Sequence, residues 1–248
     1  MDRYTYLVYM IYILIFILII IFFIAVFNDN DYKLGFYNYI DSYINNKCYP
    51  IRKTPEPVIN DLYDIMYTFD KLCIENKVEY FACAGTLLGA VRHNKIIPWD
   101  DDLDVILDIT ERDRLTTLIF PELIKRGFKI ERGNITNNYR VLKNNTSYPF
   151  MDVFFYKDYG KYIIPYSMYY GLIYPKEVYL KKKMIYPIKR YNLGNIQIQG
   201  PNNATKYLKQ IYGKKVMTEV AGTFFDHNTF KVYKLCKIKL KDINPVDK

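Results

Sequence analysis

The chain has 248 residues, enough for one domain with a sizeable hydrophobic core and an added segment. Half of the residues are hydrophobic, and there are only 11 Gly and 11 Pro, which excludes a disordered or fibrous protein. The net charge of +9 favours anionic partners, but no zinc-finger or RNA-recognition signature accompanies it, so we expect no nucleic acid among them.

The N-terminal region contains one long apolar run. Residues 7–27 carry no charged side chain, and a helix of this length crosses the hydrocarbon core of a membrane. A cleavable signal peptide is the alternative, but the run is longer than a typical signal core and no small-x-small cleavage site follows it. We therefore predict a single-pass anchor at residues 1–28. Because Arg3 precedes the run and acidic residues follow it, we expect the N-terminus in the cytoplasm and the catalytic domain in a lumen or outside.

A polar, Tyr-rich stem is predicted for residues 29–54, followed by an α/β domain at residues 55–222 and a basic C-terminal extension at residues 223–248. Apolar residues recur at steps of three and four from Val58 to Cys73, which predicts an amphipathic helix after Pro55 and Pro57. Further helices are predicted at residues 86–92, 110–127 and 204–212, and strands at residues 78–84, 102–107, 139–143, 151–156 and 196–199. This alternation of strands and helices predicts a mixed α/β sheet domain.

The four cysteines are widely scattered, and none has the spacing of metal ligands. We expect free thiols, with Cys73 and Cys83 buried, although an oxidising compartment would leave a disulfide open. The basic residues are concentrated in two late stretches, 176–190 and 231–241, where a solvated surface is the expected environment.

A run of carboxylates at Asp100, Asp101, Asp102 and Asp104 is the feature most indicative of chemistry. Apolar residues follow at once, so we predict that a strand begins here and that its alternation places Asp102 and Asp104 on one side. Two adjacent carboxylates suit a hard divalent cation. Asp152, a lone charge in another apolar strand, is the predicted third member, because charges are rarely buried without a partner or a metal. For the run alone, an exposed acidic loop is the alternative.

The segment from Ala84 to Gly89 precedes the carboxylate run. A strand that ends in Gly85-Thr86 at the start of a helix offers backbone amides to a phosphate. Arg92 and His93 follow, and we consider both as contacts for a substrate phosphate. His93 by itself fits a structural role better than a catalytic one.

Taken together, residues 85–93 and 97–105 strongly resemble the LicD family, which includes bacterial phosphocholine transferases and is similar to fukutin and fukutin-related proteins. Four later segments, at residues 151–154, 186–189, 201–204 and 208–213, also resemble elements of that family. The resemblance covers about residues 58–220. It implies a nucleotidyltransferase-like fold.

The resemblance further implies an enzyme that transfers an alcohol phosphate, such as phosphocholine or ribitol phosphate, from a cytidine-diphosphate (CDP) alcohol donor to a hydroxyl of a glycan or glycoconjugate acceptor. Asp102, Asp104 and Asp152 would be catalytic and would bind Mg²⁺ or Mn²⁺, while Gly85 and Thr86 would bind the nucleotide phosphate. Further substrate-binding candidates are Arg92, His93 and Asp100. Two alternatives stay open: transfer of a nucleoside monophosphate, and an inactive membrane-anchored glycan binder.

Overall fold

The computed structural model describes residues 51–133, 137–228, 231–242 and 246–247. Residues 51–221 and 237–247 of this described part belong to one compact unit, and residues 222–228 and 231–236 belong to a second. The predicted anchor and nearly all of the predicted stem lie outside the described residues. Among the helices in the described ranges, none combines the length and apolar character that a membrane span requires.

The chain alternates short strands with helices throughout the first unit. The strands are β1 (Arg52–Lys53), β2 (Phe81–Ala82), β3 (Asp102–Asp108), β4 (Phe128–Arg132), β5 (Tyr139–Lys143), β6 (Phe150–Asp158), β7 (Tyr162–Pro165), β8 (Leu180–Lys181), β9 (Lys189–Leu193), β10 (Ile196–Gly200), β11 (Glu219–Asp226), β12 (Lys231–Lys239) and β13 (Val246–Asp247). The α-helices are α1 (Glu56–Glu75), α2 (Ala84–Leu88), α3 (Arg112–Arg114), α4 (Phe120–Lys125), α5 (Met168–Ile173), α6 (Lys182–Ile185) and α7 (Ala204–Tyr212). Single π-helical or 3₁₀ turns lie at Gly89–His93, Ile109–Glu111, Leu115–Ile119, Pro175–Glu177 and Leu240–Asp242.

The central sheet has seven strands in a mixed arrangement, as the sequence predicts. Its main order is β2-β3-β6-β5-β4, with β7 paired to β6 and β8 paired to β7. Strands β3 and β6 run parallel, and the other pairs in this sheet are antiparallel. Three further pairs, β9–β10, β11–β12 and β1–β13, form two-stranded sheets. The fold is therefore a mixed α/β architecture organised around the parallel pair β3–β6.

Helix α1 covers one face of this sheet. A proline in its first turn suits the helix start, where backbone N–H groups have no partner within the helix. Leu62, Ile65 and Phe69 on its apolar face are fully buried, and the helix contacts β3, β5 and β6. Burial of each such side chain contributes about 1.5–3 kcal/mol. Since this face of the sheet is filled by the core, polar side chains at the start of β3 and β6 point to the other face.

Several predicted boundaries differ from the structure. The strand predicted at residues 78–84 is confined to β2, because helix α2 already begins at Ala84. The helix predicted from Thr110 is confirmed as consecutive helical turns from Ile109 to Lys125. The N-cap of this helical segment is Asp108, whose carboxylate accepts from the N–H of Thr110. The elements that were not predicted are strands β1, β4, β7, β8, β9, β11, β12 and β13 and helices α5 and α6. Most of them are short, and elements without clear alternation give a weak periodic signal. Strands β11 and β12 fall largely in the segment that was predicted only as a basic C-terminal extension.

Candidate active site

The parallel pairing of β3 and β6 brings the predicted carboxylates together. Asp104 is the direct partner of Asp152 across the two strands, and neighbouring strands lie about 4.8 Å apart. Asp102 precedes Asp104 by two residues and therefore projects to the same face. The structure thus places Asp102, Asp104 and Asp152 on one face of the sheet, at the start of two adjacent strands. Their roles as metal ligands stay a prediction.

Asp104 has a strongly perturbed carboxyl group. Burial raises the pKa of its carboxyl well above the usual range, and the neighbouring carboxylates of Asp102, Asp152 and Asp100 raise it further. Like charges packed this closely resist joint ionisation unless a cation compensates them. Carboxylate oxygens are the ligands that Mg²⁺ prefers, so the donor set fits a hard divalent cation.

Asp152 is held in place by two donors. Its Oδ1 atom accepts from Nδ2 of Asn138 at 2.6 Å and from Nε of Arg140 at 3.1 Å. Arg140 lies opposite Asp152 in the antiparallel pair β5–β6, and its guanidinium carbon lies 4.2 Å from the centre of the Phe150 ring. Sequence reasoning missed Asn138 and Arg140. The only signal was a basic residue inside an apolar strand, which points to a buried acidic partner.

Asp101, a member of the predicted carboxylate run that was not among the predicted ligands, also belongs to the carboxylate group. Its side chain is fully buried, and one carboxylate oxygen accepts from the hydroxyl of Tyr148 at 3.1 Å. Oxygens of Asp101 and Asp102 lie within 4.8 Å of each other, a separation that one cation can bridge. Asp101 is therefore a further, buried carboxylate beside the predicted metal ligands.

The close packing of Asp100 against Gly85 explains why a residue without a side chain occupies position 85. A Cβ atom added to Gly85 would lie 2.2 Å from Oδ2 of Asp100, far inside any real contact. The missing side chain thus lets the carboxylate of Asp100 approach the backbone at the start of α2. The preceding residue, Ala84, has φ +41°, a left-handed conformation that is uncommon for a residue with a side chain. Backbone strain of this kind concentrates at functional sites.

Thr86 connects α2 to the carboxylates. Its buried hydroxyl oxygen accepts from the N–H of Asp104 at 2.7 Å, which ties the first turn of α2 to strand β3. The structure thus gives Gly85 and Thr86 positioning roles. Contact of either residue with a nucleotide phosphate stays a prediction.

Arg92 and His93 are paired with each other in the structure. Nε of Arg92 donates to Nε2 of His93 at 3.0 Å, and a terminal nitrogen of Arg92 donates to the carbonyl of Val216 at 2.8 Å. Burial, together with the charges of Arg92 and Lys95, lowers the pKa of His93 to about 4. The imidazole is therefore neutral at physiological pH and accepts a hydrogen bond, which fits the structural role considered for His93 alone.

Tyr212 is a further site residue that the sequence analysis did not single out. The pKa of its hydroxyl is raised well above normal, first by desolvation and then by the carboxylates of Asp100 and Asp104. The residue as a whole is 46% exposed, so solvent still reaches part of the side chain. Burial lowers the pKa of the Arg92 guanidinium, while the charges of Tyr212 and Asp100 oppose that shift. Tyr212, at the end of α7, and Arg92 therefore both interact electrostatically with Asp100.

The geometry defines the class of the fold and site: a mixed α/β domain with a carboxylate group at the start of a parallel strand pair. The model of the LicD/FKTN/FKRP nucleotidyltransferase-domain family matches residues 77–203, just over half of the chain. The chain belongs to this family. The predicted resemblance is thus confirmed, and the matched range contains all the predicted site residues.

Individual relatives agree with this assignment. An uncharacterised protein of Rickettsia typhi is 33% identical over 154 residues, covering 61% of this chain and 45% of that protein. The lipopolysaccharide cholinephosphotransferase LicD of Haemophilus influenzae is 42% identical over 59 residues, covering 24% of this chain and 22% of that protein. The ribitol 5-phosphate transferase FKRP of Mus musculus is 26% identical over 145 residues, covering 56% of this chain and 28% of that protein. The chain thus aligns with about half or less of the length of these relatives.

Among solved structures, the lincomycin-bound lincosamide antibiotic adenylyltransferase LnuA superposes with a TM-score of 0.39 at 14% identity. The superposition covers 67% of this chain and all of that chain.

Proposed function

We propose that this protein is a metal-dependent transferase that moves an alcohol phosphate from a CDP-activated donor to a hydroxyl of a glycan or glycoconjugate. The observation that supports this proposal most directly is the grouping of Asp102, Asp104 and Asp152 on one face of the parallel pair β3–β6. Two relatives support the transferred group, since one is named for cholinephosphate transfer and the other for ribitol 5-phosphate transfer.

Asp102, Asp104 and Asp152 would hold Mg²⁺ or Mn²⁺, because their repulsion is relieved by a divalent cation. A cation bound there supplies positive charge to the diphosphate of the donor. The neighbouring acids Asp100 and Asp101 would add to the negative charge that attracts the cation.

The remaining residues of the site position these acids. Asn138 and Arg140 fix the orientation of Asp152, and Thr86 fixes the start of β3 through the N–H of Asp104. Preorganised groups of this kind lower the barrier because they need no rearrangement during the reaction. Asp152 is the candidate acceptor for the proton of the attacking hydroxyl.

The predicted anchor would place this domain at a membrane surface, facing a lumen or the outside. This location suits a glycoconjugate acceptor. Protease added to the cytosolic side of sealed vesicles should leave the domain intact, and degradation of the domain under these conditions would overturn the topology.

The transfer reaction is tested by incubating the full chain and total glycoconjugates as acceptor with CDP-choline, CDP-ribitol or CDP-glycerol in the presence of Mg²⁺ or Mn²⁺, and measuring release of cytidine monophosphate (CMP) against a reaction without acceptor. We expect turnover of at least one donor, loss of turnover on chelation with EDTA, and a decrease on the order of 10³-fold in the Asp102→Asn and Asp104→Asn variants. Asp113→Asn, an exposed acid on α3, is the matched control and should keep full turnover. Undiminished turnover in both site variants would refute the metal assignment.

A further inference from the structure

A second candidate site lies in a basic cleft beyond the end of β6. The cleft has a volume of about 520 Å³ and is lined by Gly160, Lys161, Lys181, Lys182, Lys183 and Tyr186. It is separate from the carboxylates: Asp152 and Asp158 are six residues apart on β6, which corresponds to roughly 20 Å along an extended strand. The transfer reaction uses none of these lining residues.

Backbone hydrogen bonds hold the walls of the cleft together. The turn after β6 is closed by Gly160, whose φ of +75° suits glycine and whose N–H donates to the carboxylate of Asp158 at 2.8 Å. The N–H of Lys182 donates to the carbonyl of Lys161 at 3.0 Å, and pairing of β7 with β8 places Lys181 beside the same turn. The lysines therefore come from two segments that are joined by main-chain contacts rather than from one flexible loop.

Positive charge is concentrated around this cleft. Residues 157–190 contain eight Lys and Arg but only two acids, which accounts for most of the net charge of +9. Asp158 pairs with Lys182 at 2.5 Å. Within the described part of the chain, no carboxylate lies at ion-pair distance from Lys161, Lys181 or Lys183, and all three are exposed. The solvated surface predicted for this lysine run is thus correct, and Lys161, Lys181 and Lys183 also line one concave site.

We propose that this basic cleft binds a ligand that carries two phosphate groups, either a diphosphate or a bisphosphate. Its three uncompensated ammonium groups match the charge of such a ligand, and mutual repulsion among them is relieved when it binds. The volume falls within the range of small-molecule sites, so there is also room for a sugar or glycerol unit. The ring of Tyr186 is available to flank that unit, because its hydroxyl is fixed by a hydrogen bond with Tyr156.

Binding of pyrophosphate to the full chain, measured by calorimetry in EDTA at low ionic strength, tests this inference. EDTA removes the divalent cations on which the proposed transfer depends, and the lysine variants leave the carboxylate site unchanged, so a difference between these variants does not depend on the proposed transfer reaction. We expect binding by the wild type and at least a tenfold weaker affinity in the triple variant Lys161→Ala, Lys181→Ala, Lys183→Ala. The corresponding triple Arg variant keeps the charges and should retain affinity, which separates loss of charge from a folding defect.

A second triple variant, Lys71→Ala, Lys125→Ala, Lys129→Ala, removes the same charge from surfaces outside the cleft and should bind like the wild type. The affinities of fructose 1,6-bisphosphate and water-soluble dihexanoyl phosphatidylinositol 4-phosphate are then compared. Tighter binding of the first indicates a soluble sugar phosphate as the ligand, and tighter binding of the second indicates a lipid headgroup. Cleft-dependent binding of pyrophosphate alone would restrict the ligand to a bare diphosphate. No binding by the wild type at millimolar pyrophosphate, or equal binding by both alanine triples, would overturn the proposal.

Discussion

Replacement of Gly85 by alanine should have opposite effects on stability, depending on whether Asp100 is present. The new Cβ would lie 2.2 Å from Oδ2 of Asp100, whereas ordinary contacts begin at 3.4 Å, so the carboxylate must move by about 1 Å. Overpacking of this kind typically costs about 1–3 kcal/mol. In an Asp100→Ala background the clash is gone, and alanine in a helix is favoured over glycine by about 0.5–1 kcal/mol. The coupling energy of the double-mutant cycle should therefore be about 1.5–4 kcal/mol.

Urea unfolding followed by tryptophan fluorescence is well suited to this cycle, because Trp99 is the only tryptophan, is buried, and adjoins Asp100. Gly171→Ala in α5 is the control: its Cβ would make an ordinary 3.4 Å contact with Val178, so we expect no loss of stability. In the wild-type background, displacement of Asp100 should also lower donor turnover on the order of 10²-fold. Equal destabilisation by Gly85→Ala with and without Asp100 would show that the two residues are not coupled as described.

Three further predictions concern buried polar groups. Asp70→Asn should reduce the free energy of unfolding by about 1.5–3 kcal/mol, because it weakens the charge-assisted hydrogen bonds that buried Asp70 accepts from both terminal nitrogens of the partly exposed Arg190 at 2.6 and 2.7 Å; unchanged denaturation midpoints would argue against it. Burial raises the pKa of Glu177 to about 7, so the folded state binds this proton more tightly than the unfolded chain does. The free energy of unfolding should therefore fall by roughly 3 kcal/mol as the pH rises from about 4.5 to 7. Glu177→Gln should flatten this part of the plot of stability against pH. Burial also raises the pKa of the Cys73 and Cys83 thiols, so iodoacetamide should modify them much more slowly in the native protein than in urea.

The main chemistry of the site could be predicted from the sequence because strand alternation has a fixed period. Asp102 and Asp104 project together for that reason, and the lone charge of Asp152 in an apolar strand marked it as a partner. Their direct proximity follows from the parallel register of β3 and β6, which places Asp104 opposite Asp152. The predicted free and buried state of Cys73 and Cys83 is also confirmed.

The supporting contacts could not be predicted, because they join residues that are far apart in the chain. Arg190 binds Asp70 across 120 residues, and no local pattern connects them. Asn138 and Arg140 reach Asp152 only after β5 folds back on β6. The role of Thr86 likewise depends on how α2 meets β3, whereas its sequence context suggested only a phosphate-binding turn.

The most direct test of the central claim is the mass of the group that the acceptor gains. Total glycoconjugates are incubated with the full chain and the CDP-alcohol that supports CMP release, and products are analysed by mass spectrometry beside the Asp104→Asn variant. We predict that wild type adds one alcohol phosphate to the acceptor and that Asp104→Asn, although folded, adds none. Addition of a nucleoside monophosphate, or equal product from Asp104→Asn, would contradict the account.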